Sequence, residues 1–478
     1  MADTVLPGRL GKVPSHRRTV TERAELGKAA RARVPRDAHA AADMPADRAD
    51  PVALLGRQGE LRVPDLVPVR YGRMLVSPFT FFRGAALPMA SDLARTPVSG
   101  LLVQACGDAH LSNFGIFGSP ERRLMFDIND FDETLPGPWE WDIKRLATSM
   151  EVAARENGLS RKQRRAAVLA TVASYREAMR EFATFSNLRV FYARVDVEQM
   201  RAELGSRLSA RQRKLWDKGQ AKARTADSLR DLKKLTRMVD GQRRIVADPP
   251  LIVPLDDMLT GTRREEIRMQ VDGLVTRYRR TLEPDRRLLL DQYELIDVAH
   301  KVVGVGSVGT RCWVVLLLGR DHRDPLFLQV KEAQPSVLAP YAGASKLANE
   351  GQRVVTGQRL MQAAGDAFLG WNSTRSGVDG ESRDFYVRQL RDWKYSVDIA
   401  ELAPGGLRLY GELCGWTLAR AHARSGDRFA IAAYLGSSDV FDRAVAEFAD
   451  GYADQNERDY RALADAAASG RITAVRDV

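Results

Sequence analysis

Three cysteines in 478 residues, Cys106, Cys312 and Cys414, are too few and too scattered for a disulfide framework or a cysteine-rich zinc site. They read as reduced thiols, which points to a cytoplasmic protein. No run of about 18 apolar residues occurs, so no membrane-spanning helix is expected. The stretch Met1–Arg36 has no apolar core; it is basic and broken by prolines, unlike a secretory signal. Histidine is scarce: His16, His39, His110, His300, His322 and His422 are the full set of 6. That scarcity weighs against chemistry requiring several imidazole ligands. Basic residues are not scarce. Lys and Arg number 73 against 62 Asp and Glu, a net charge of +11 that favours anionic partners such as nucleotides, phosphorylated metabolites or nucleic acid. Acidic residues interleave throughout, so much of the excess reads as solvated helical surface, with nucleic-acid contact the lesser reading for Arg211–Arg244.

Apolar patterning divides the chain into five stretches. Residues 1–50 are expected to be a weakly ordered basic arm. Residues 51–142 hold an aromatic cluster (Phe79, Phe81, Phe82), a strand at Leu101–Cys106 and a hairpin at Phe114–Phe117 and Leu124–Ile128. Residues 143–285 are mostly helical. Residues 286–400 return to strands, at Val302–Val305, Cys312–Leu318, Leu326–Val330 and Asp384–Leu390, with a helix over 344–365. Residues 401–478 are helical, with buried stripes through Tyr410–Ala421 and Phe441–Tyr452. The fold class expected is α+β.

Between the first strand and the hairpin lies Gly107-Asp108-Ala109-His110-Leu111-Ser112-Asn113. Phosphoryl transfer needs a carboxylate to orient an acceptor hydroxyl and oxygen ligands to hold Mg²⁺ on the phosphates. An Asp and an Asn five positions apart on a tight loop can serve both needs. Asp127, Asp130, Asp132 and Glu133 form a dense acidic cluster after the hairpin. So many carboxylates repel one another unless a cation sits among them, and hard oxygen ligands suit Mg²⁺.

This run, with Asn129-Asp130-Phe131-Asp132 after the hairpin, resembles the active-site region of aminoglycoside-phosphotransferase-type kinases. Phe82-Arg83-Gly84 and Trp141-Asp142-Ile143-Lys144-Arg145-Leu146 extend the likeness. From Phe79 to Ala147 the sequence is similar to the bacterial DUF2252 family, grouped with the kinase-like folds, and the similarity covers about residue 50 to the end. It implies Asp108 as catalytic base, Asn113 as metal ligand, Asp130 in the place of the metal-binding Asp of Asp-Phe-Gly, and Asp142 as a brace of the catalytic loop. Asp132 replaces the Gly of that motif, which keeps Asp127 as the alternative metal ligand. Cys106 stands where a His often precedes Gly-Asp.

A second cluster lies some two hundred residues on. Gly304, Gly306, Ser307 and Gly309 belong to a GxGxxG that is followed by a strand. That context suits a flap over nucleotide phosphates and not a strand-to-helix dinucleotide loop. Lys331 ends the third strand as a phosphate-contacting lysine would. Glu350 lies on the stripe of Leu347, Val354 and Met361, so it is expected to face inward and pair with Lys331. Loop, Lys and Glu follow the catalytic loop here, the reverse of kinase order. The expected architecture is therefore a circularly permuted two-lobe kinase-like fold with extra helices. It would use ATP and Mg²⁺ to phosphorylate a small-molecule hydroxyl acceptor, since no activation segment follows the acidic cluster. Transfer of AMP is a variant of this reading. Two others compete: a metallophosphoesterase built on Asp108-Ala109-His110, and a non-catalytic ATP- or nucleic-acid-binding protein.

Overall fold

Apolar and β-branched runs bounded by Gly, Asp and Pro become strands, and longer amphipathic stretches become helices. A computed structural model of the chain describes residues 18–204, 210–225, 228–258, 271, 273–302, 304, 306, 308–374, 380–390 and 393–475. The architecture is mixed α and β.

Helix α1 (Val20–Arg33) opens it, inside the arm expected to be weakly ordered. Two features explain the difference. Thr19 and Glu22 form a capping box. Gly27 lies so close to the carbonyl of Ala430 that a Cβ there would sit 2.0 Å from it, so the helix docks by backbone contact. Helices α2 (Pro51–Glu60), α3 (Val67–Met74), α4 (Pro78–Gly84) and α5 (Ala86–Leu93) follow. Phe79, Phe81 and Phe82 on α4 are buried, as expected of an aromatic cluster.

Four short strands then surround the catalytic-loop candidate: β1 (Leu102–Ala105), β2 (Phe114–Gly118), β3 (Leu124–Ile128) and β4 (Leu135–Pro138). β2 and β3 form the expected hairpin, and β1 pairs antiparallel with β4. Behind them lies a helical layer of α6 (Trp139–Glu156), α7 (Arg161–Phe182), α8 (Pro404–Ser425) and α9 (Val440–Ala468). Gly411 and Gly415 let α8 approach α7 closely; a Cβ on Gly415 would lie 2.2 Å from the Thr171 carbonyl.

The stretch from 286 to 400 contributes five strands of a six-stranded antiparallel sheet. Ile252–Pro254 forms its edge, beside Glu294–Lys301, Cys312–Leu318, Pro325–Ala333, Arg383–Gln389 and Gly370–Thr374 in that order across the sheet. The first strand of the Gly-rich hairpin is thus Glu294–Lys301, earlier than the Val302–Val305 read from composition. Alternation of Val298, Ala299 and His300 between two faces, rather than a continuous apolar run, disguised it. The helix expected over 344–365 is shorter, Glu350–Met361. Asn349 caps it, accepting from the Gln352 amide, and Gly343 at φ +94 belongs to the loop before it. Among the described residues no helix is long and apolar enough to cross a membrane.

The helical layer carries a buried charge whose effect on stability has a definite sign. Lys144 on α6 is fully buried, its Nζ lacks a hydrogen-bond partner among the described residues, and it sits 4.5 Å from the centroid of Phe448. Burial lowers its pKa to about 7, with Glu140 one turn earlier opposing the drop. Burial likewise raises Glu140 to about 7, so below that pH Glu140 is neutral and needs no cation. An unfolded Lys keeps its proton up to about 10.5, so between about 7 and 10.5 the unfolded chain binds more protons and stability rises with pH. Lys144→Met is therefore expected to stabilise the chain by on the order of 1–2 kcal/mol at about pH 6. The gain should shrink as pH climbs towards about 10. Urea unfolding at both pH values checks it; a variant less stable at the lower pH contradicts the sign.

Candidate active site

The catalytic-loop candidate is shaped by backbone constraints first. Gly107 has φ +82, and a Cβ there would lie 2.2 Å from the Glu133 carbonyl, so only glycine fits between the two loops. Asp142, in the first turn of α6, accepts from the amides of Cys106 at 2.6 Å and Gly107 at 2.9 Å. This is the bracing role that the resemblance implies. His422 Nε2 lies 3.1 Å from the same carboxylate, and its Nδ1 meets the hydroxyl of Tyr175 at 2.8 Å. The brace is thus itself held by the helical layer.

Register then brings the second half of the site alongside. Phe114 pairs with Ile128 across the hairpin, and the Asn129 amide donates to the Asn113 carbonyl at 2.7 Å. Asn113 and Asp130 therefore leave one hairpin end together. Asn113 Nδ2 donates to the Asp108 carbonyl at 2.8 Å, which fixes the amide and leaves its Oδ1 as acceptor. Asp108 Oδ1 takes a 2.5 Å bond from Arg145 Nε, and His110 Nε2 lies 3.7 Å from Oδ2. Burial raises the Asp108 pKa, and Arg145 offsets this only in part. Burial, and then Arg83 and Arg145, hold His110 well below its ordinary value, so it is a neutral imidazole.

From the sheet, Lys331 reaches the same place. Its Nζ is 2.6 Å from Asp132 Oδ2 and 3.7 Å from Asp130 Oδ2. Burial alone would lower its pKa, but Asp130 and Asp132 outweigh burial and hold the ammonium charged. Burial opposes ionisation of Asp130 as well, yet Lys331 and then Arg388 keep its carboxyl below the usual range. Asp108, Asn113, Asp130, Lys331, Gly304 and Gly306 all line one cavity of about 520 Å³. The described residues of the GxGxxG, Gly304, Gly306, Val308 and Gly309, lie between the paired strands Glu294–Lys301 and Cys312–Leu318. They are pinned from α2's side: Arg62 donates to the carbonyls of Val308 at 2.5 Å and Gly306 at 3.0 Å, and the Val63 amide to that of Gly309 at 2.8 Å. Gly309 contributes through its φ of +88 and does not line the cavity. Ser307 lies outside the described residues.

Two expectations are corrected. Glu350 does not pair with Lys331. It is the first residue of its helix, lies outside the cavity lining, and forms an ion pair with Arg353 one turn on. A helix running back to 344 would turn Glu350 inward, whereas the helix begins at Glu350 itself. Arg353 does the inward work instead, donating to the carbonyls of Thr134 at 2.6 Å, Asp132 at 2.9 Å and Gln334 at 2.7 Å. Asp127 is not a cavity residue either. It is buried on β3, with Oδ1 2.5 Å from Arg420 Nη2 and Oδ2 accepting from the Ala363 amide at 2.9 Å. Side chains alternate along a strand, and Asp127 falls on the face turned to the helices.

A Mg²⁺ ion is accordingly tested against Asn113 and Asp130. Both offer hard oxygen atoms to the cavity, and the fixed Asn113 amide presents its oxygen. Among the described residues no group of three His, Cys, Asp or Glu side chains is placed to hold a metal, so part of any coordination shell must come from a ligand's own oxygens or water. That partial set fits Mg²⁺, which keeps waters and binds through one or two carboxylates plus phosphates.

Sequence reasoning missed Arg145, Arg353, Arg388 and Arg70. Arg388 donates to the Asn129 carbonyl at 3.0 Å and lines the cavity. Arg145 sat inside the quoted Trp-Asp-x-Lys-Arg run, so a signal existed; the other three had none.

Residues 62–466 match the family described as "Uncharacterized protein conserved in bacteria (DUF2252)". No curated protein and no solved structure matches the chain.

Proposed function

The chain belongs to the DUF2252 family, and from the contents of its cavity we propose that it is an ATP- and Mg²⁺-dependent phosphotransferase of permuted kinase-like fold, acting on a small hydroxyl compound. The observation that carries this reading is the 2.6 Å contact between Lys331 and Asp132, 199 residues apart, beside Asp130, Asn113 and Asp108. A basic phosphate ligand, two oxygen donors for a metal and a half-buried carboxylate are the parts phosphoryl transfer requires.

Read cyclically, the segments follow kinase order. The Gly-rich hairpin, Lys331 strand, Glu350–Met361 helix and Arg383–Gln389 strand come first. Helix α8, the catalytic loop, the acidic loop and helices α6 and α7 come after. Asp132 takes the lysine-holding part that a helix glutamate was expected to play.

The proposed reaction assigns these residues as follows. Gly304 and Gly306 let the backbone approach the phosphates, and Lys331 contacts their oxygens. Asn113 and Asp130 would hold Mg²⁺, which when bound neutralises charge on those oxygens. Asp108 orients the acceptor hydroxyl and takes its proton as the hydroxyl oxygen bonds to the γ-phosphorus. The bond from that phosphorus to the β–γ bridging oxygen breaks, and ADP leaves. Arg145 keeps the Asp108 carboxylate aimed. A metallophosphoesterase is less well supported, since His110 is the one histidine among the described residues lining the cavity.

Titration of Mg·ATP into the native chain tests the reading. Saturable binding that weakens at least tenfold in Lys331→Met is expected, since a charged hydrogen bond to phosphate is worth about 1.5–3 kcal/mol. Native binding that is equally tight without Mg²⁺, or unchanged in the variant, would remove the basis for the nucleotide site. Release of pyrophosphate in place of ADP would identify AMP transfer.

A further inference from the structure

The cavity has a second cationic wall that the nucleotide reading leaves unused. Lys301, Lys331, Arg388 and Lys394 come from the sheet side and its following loop. Arg70 on α3 and Arg83 on α4 come from the helices before the catalytic loop, and both line the same cavity as Asp108.

Their hydrogen bonding is incomplete. Arg70 is 1% exposed. Its Nη2 donates to Gln58 Oε1 at 2.6 Å and to the Gly84 carbonyl at 2.9 Å, while its buried Nε and Nη1 have no partner among the described residues. Arg83 makes no hydrogen bond or ion pair among the described residues, and its Nε is buried. Compare Arg145, Arg353 and Arg428, whose guanidinium groups each reach two or more acceptors. Burial depresses the pKa of both Arg70 and Arg83, and Asp108 is the charge that opposes this for Arg83. A guanidinium stripped of water and short of acceptors is costly unless an anion completes it. The terminal nitrogens of Arg83, which have no partner among the described residues, suit bidentate capture of a phosphate or carboxylate, and the buried charge of Arg70 on the same cavity wall adds to the attraction.

We infer that Arg70 and Arg83 form an anion subsite on the Asp108 side of the cavity, so that the acceptor is a small hydroxyl compound carrying its own phosphate or carboxylate group. This rests on the phosphotransferase reading for the word acceptor; the anion subsite rests on the two arginines alone. Arg70 is the more deeply buried of the two, and Arg83 is near enough to Asp108 for that carboxylate to oppose the effect of burial on it. An acceptor bound there would present its hydroxyl to the carboxylate and leave the sheet-side cations to the nucleotide.

The test titrates inorganic phosphate, malonate and neutral glycerol into the full chain, with and without saturating Mg·ADP. Saturable binding of phosphate or malonate but not glycerol is expected, undiminished by Mg·ADP and weakened at least tenfold in Arg83→Met. Phosphate binding with no malonate binding assigns a phosphorylated acceptor, and the converse a carboxylated one. Arg70→Met is the harsher variant because Arg70 also ties α2 to the end of α4; circular dichroism accompanies it, and Arg83→Met stands without it. Absence of saturable anion binding, anion binding unaffected by Arg83→Met, or competition between phosphate and Mg·ADP would each overturn the subsite. Anion binding that depends on Arg83 in a chain that does not bind Mg·ADP upholds the subsite and defeats the phosphotransferase reading, so the two failures are distinguishable.

Discussion

Asp108→Asn should leave a folded chain that binds Mg·ATP normally and transfers phosphate about 10²–10⁴-fold more slowly. The substitution is nearly isosteric. An asparagine oxygen can still accept from Arg145 Nε, now 2.5 Å from the carboxylate, and the loop's backbone ties to Asp142 are untouched. What is lost is the capacity to take a proton. Single-turnover transfer with the acceptor class proposed above, alongside nucleotide titration, checks this. Equal loss of binding and turnover would mean that Asp108 shapes the site and does not act in the chemistry. The pH profile carries a second mark. Because burial raises the Asp108 pKa, the native rate should fall on the acid side at a pH above that of an ordinary aspartate. The base must be ionised to work, so activity rises with pH through that limb, and the limb should vanish in Asp108→Asn.

The second large effect separates two aspartates that are three residues apart. Asp127→Ala strips the carboxylate from Arg420, which is 1% exposed and whose Nη1 already lacks a partner among the described residues. Leaving one member of a buried pair uncompensated costs about 3–5 kcal/mol, a large part of a typical domain's stability. The expected outcome is a strongly lowered urea midpoint or an unfolded chain. Asp130→Ala should behave in the opposite way. Lys331 retains Asp132 at 2.6 Å, so folding is nearly unaffected, while the Mg²⁺ dependence of nucleotide binding disappears. Urea unfolding and Mg·ATP titration of both variants decide it. A stable Asp127→Ala chain that has lost only its metal dependence would reverse the two assignments.

These contrasts show where local sequence is informative. The β2–β3 hairpin, the strands Cys312–Leu318 and Pro325–Ala333, and the stripes on α8 and α9 follow from periodicity and turn residues within a few positions of each site. The loop from Asp108 to Asn113 was legible for the same reason, and so was the neighbourhood of Asp130, because a two-stranded register joins Asn113 to Asn129 over a short distance in the chain. That Lys331 would enter the same cavity followed from its place in the strand order and not from any contact between neighbours in sequence.

Partner choice was not legible. Lys331 had several acidic candidates within reach of an extended chain. It met Asp132 instead of Glu350 because Asn349 caps the helix, so that Glu350 is its first residue, and Arg353 occupies the inward face. Asp127 and Asp130 differ little in composition around them; only the packing of α8, which brings Arg420 to β3, makes one a buried ion-pair member and leaves the other at the cavity. Arg70 and Arg83 look like ordinary basic residues of amphipathic helices until α3 and α4 bring them to the cavity that Asp108 also lines. The sequence by itself thus determined most of the elements, the loop from Asp108 to Asn113 and the oxygen donors it carries, because those depend on spacing along the chain. Which charges face one another, and which are left without a partner, was decided by the tertiary structure alone, because a buried charge is set by whatever the fold brings to within a few ångströms, however distant in sequence.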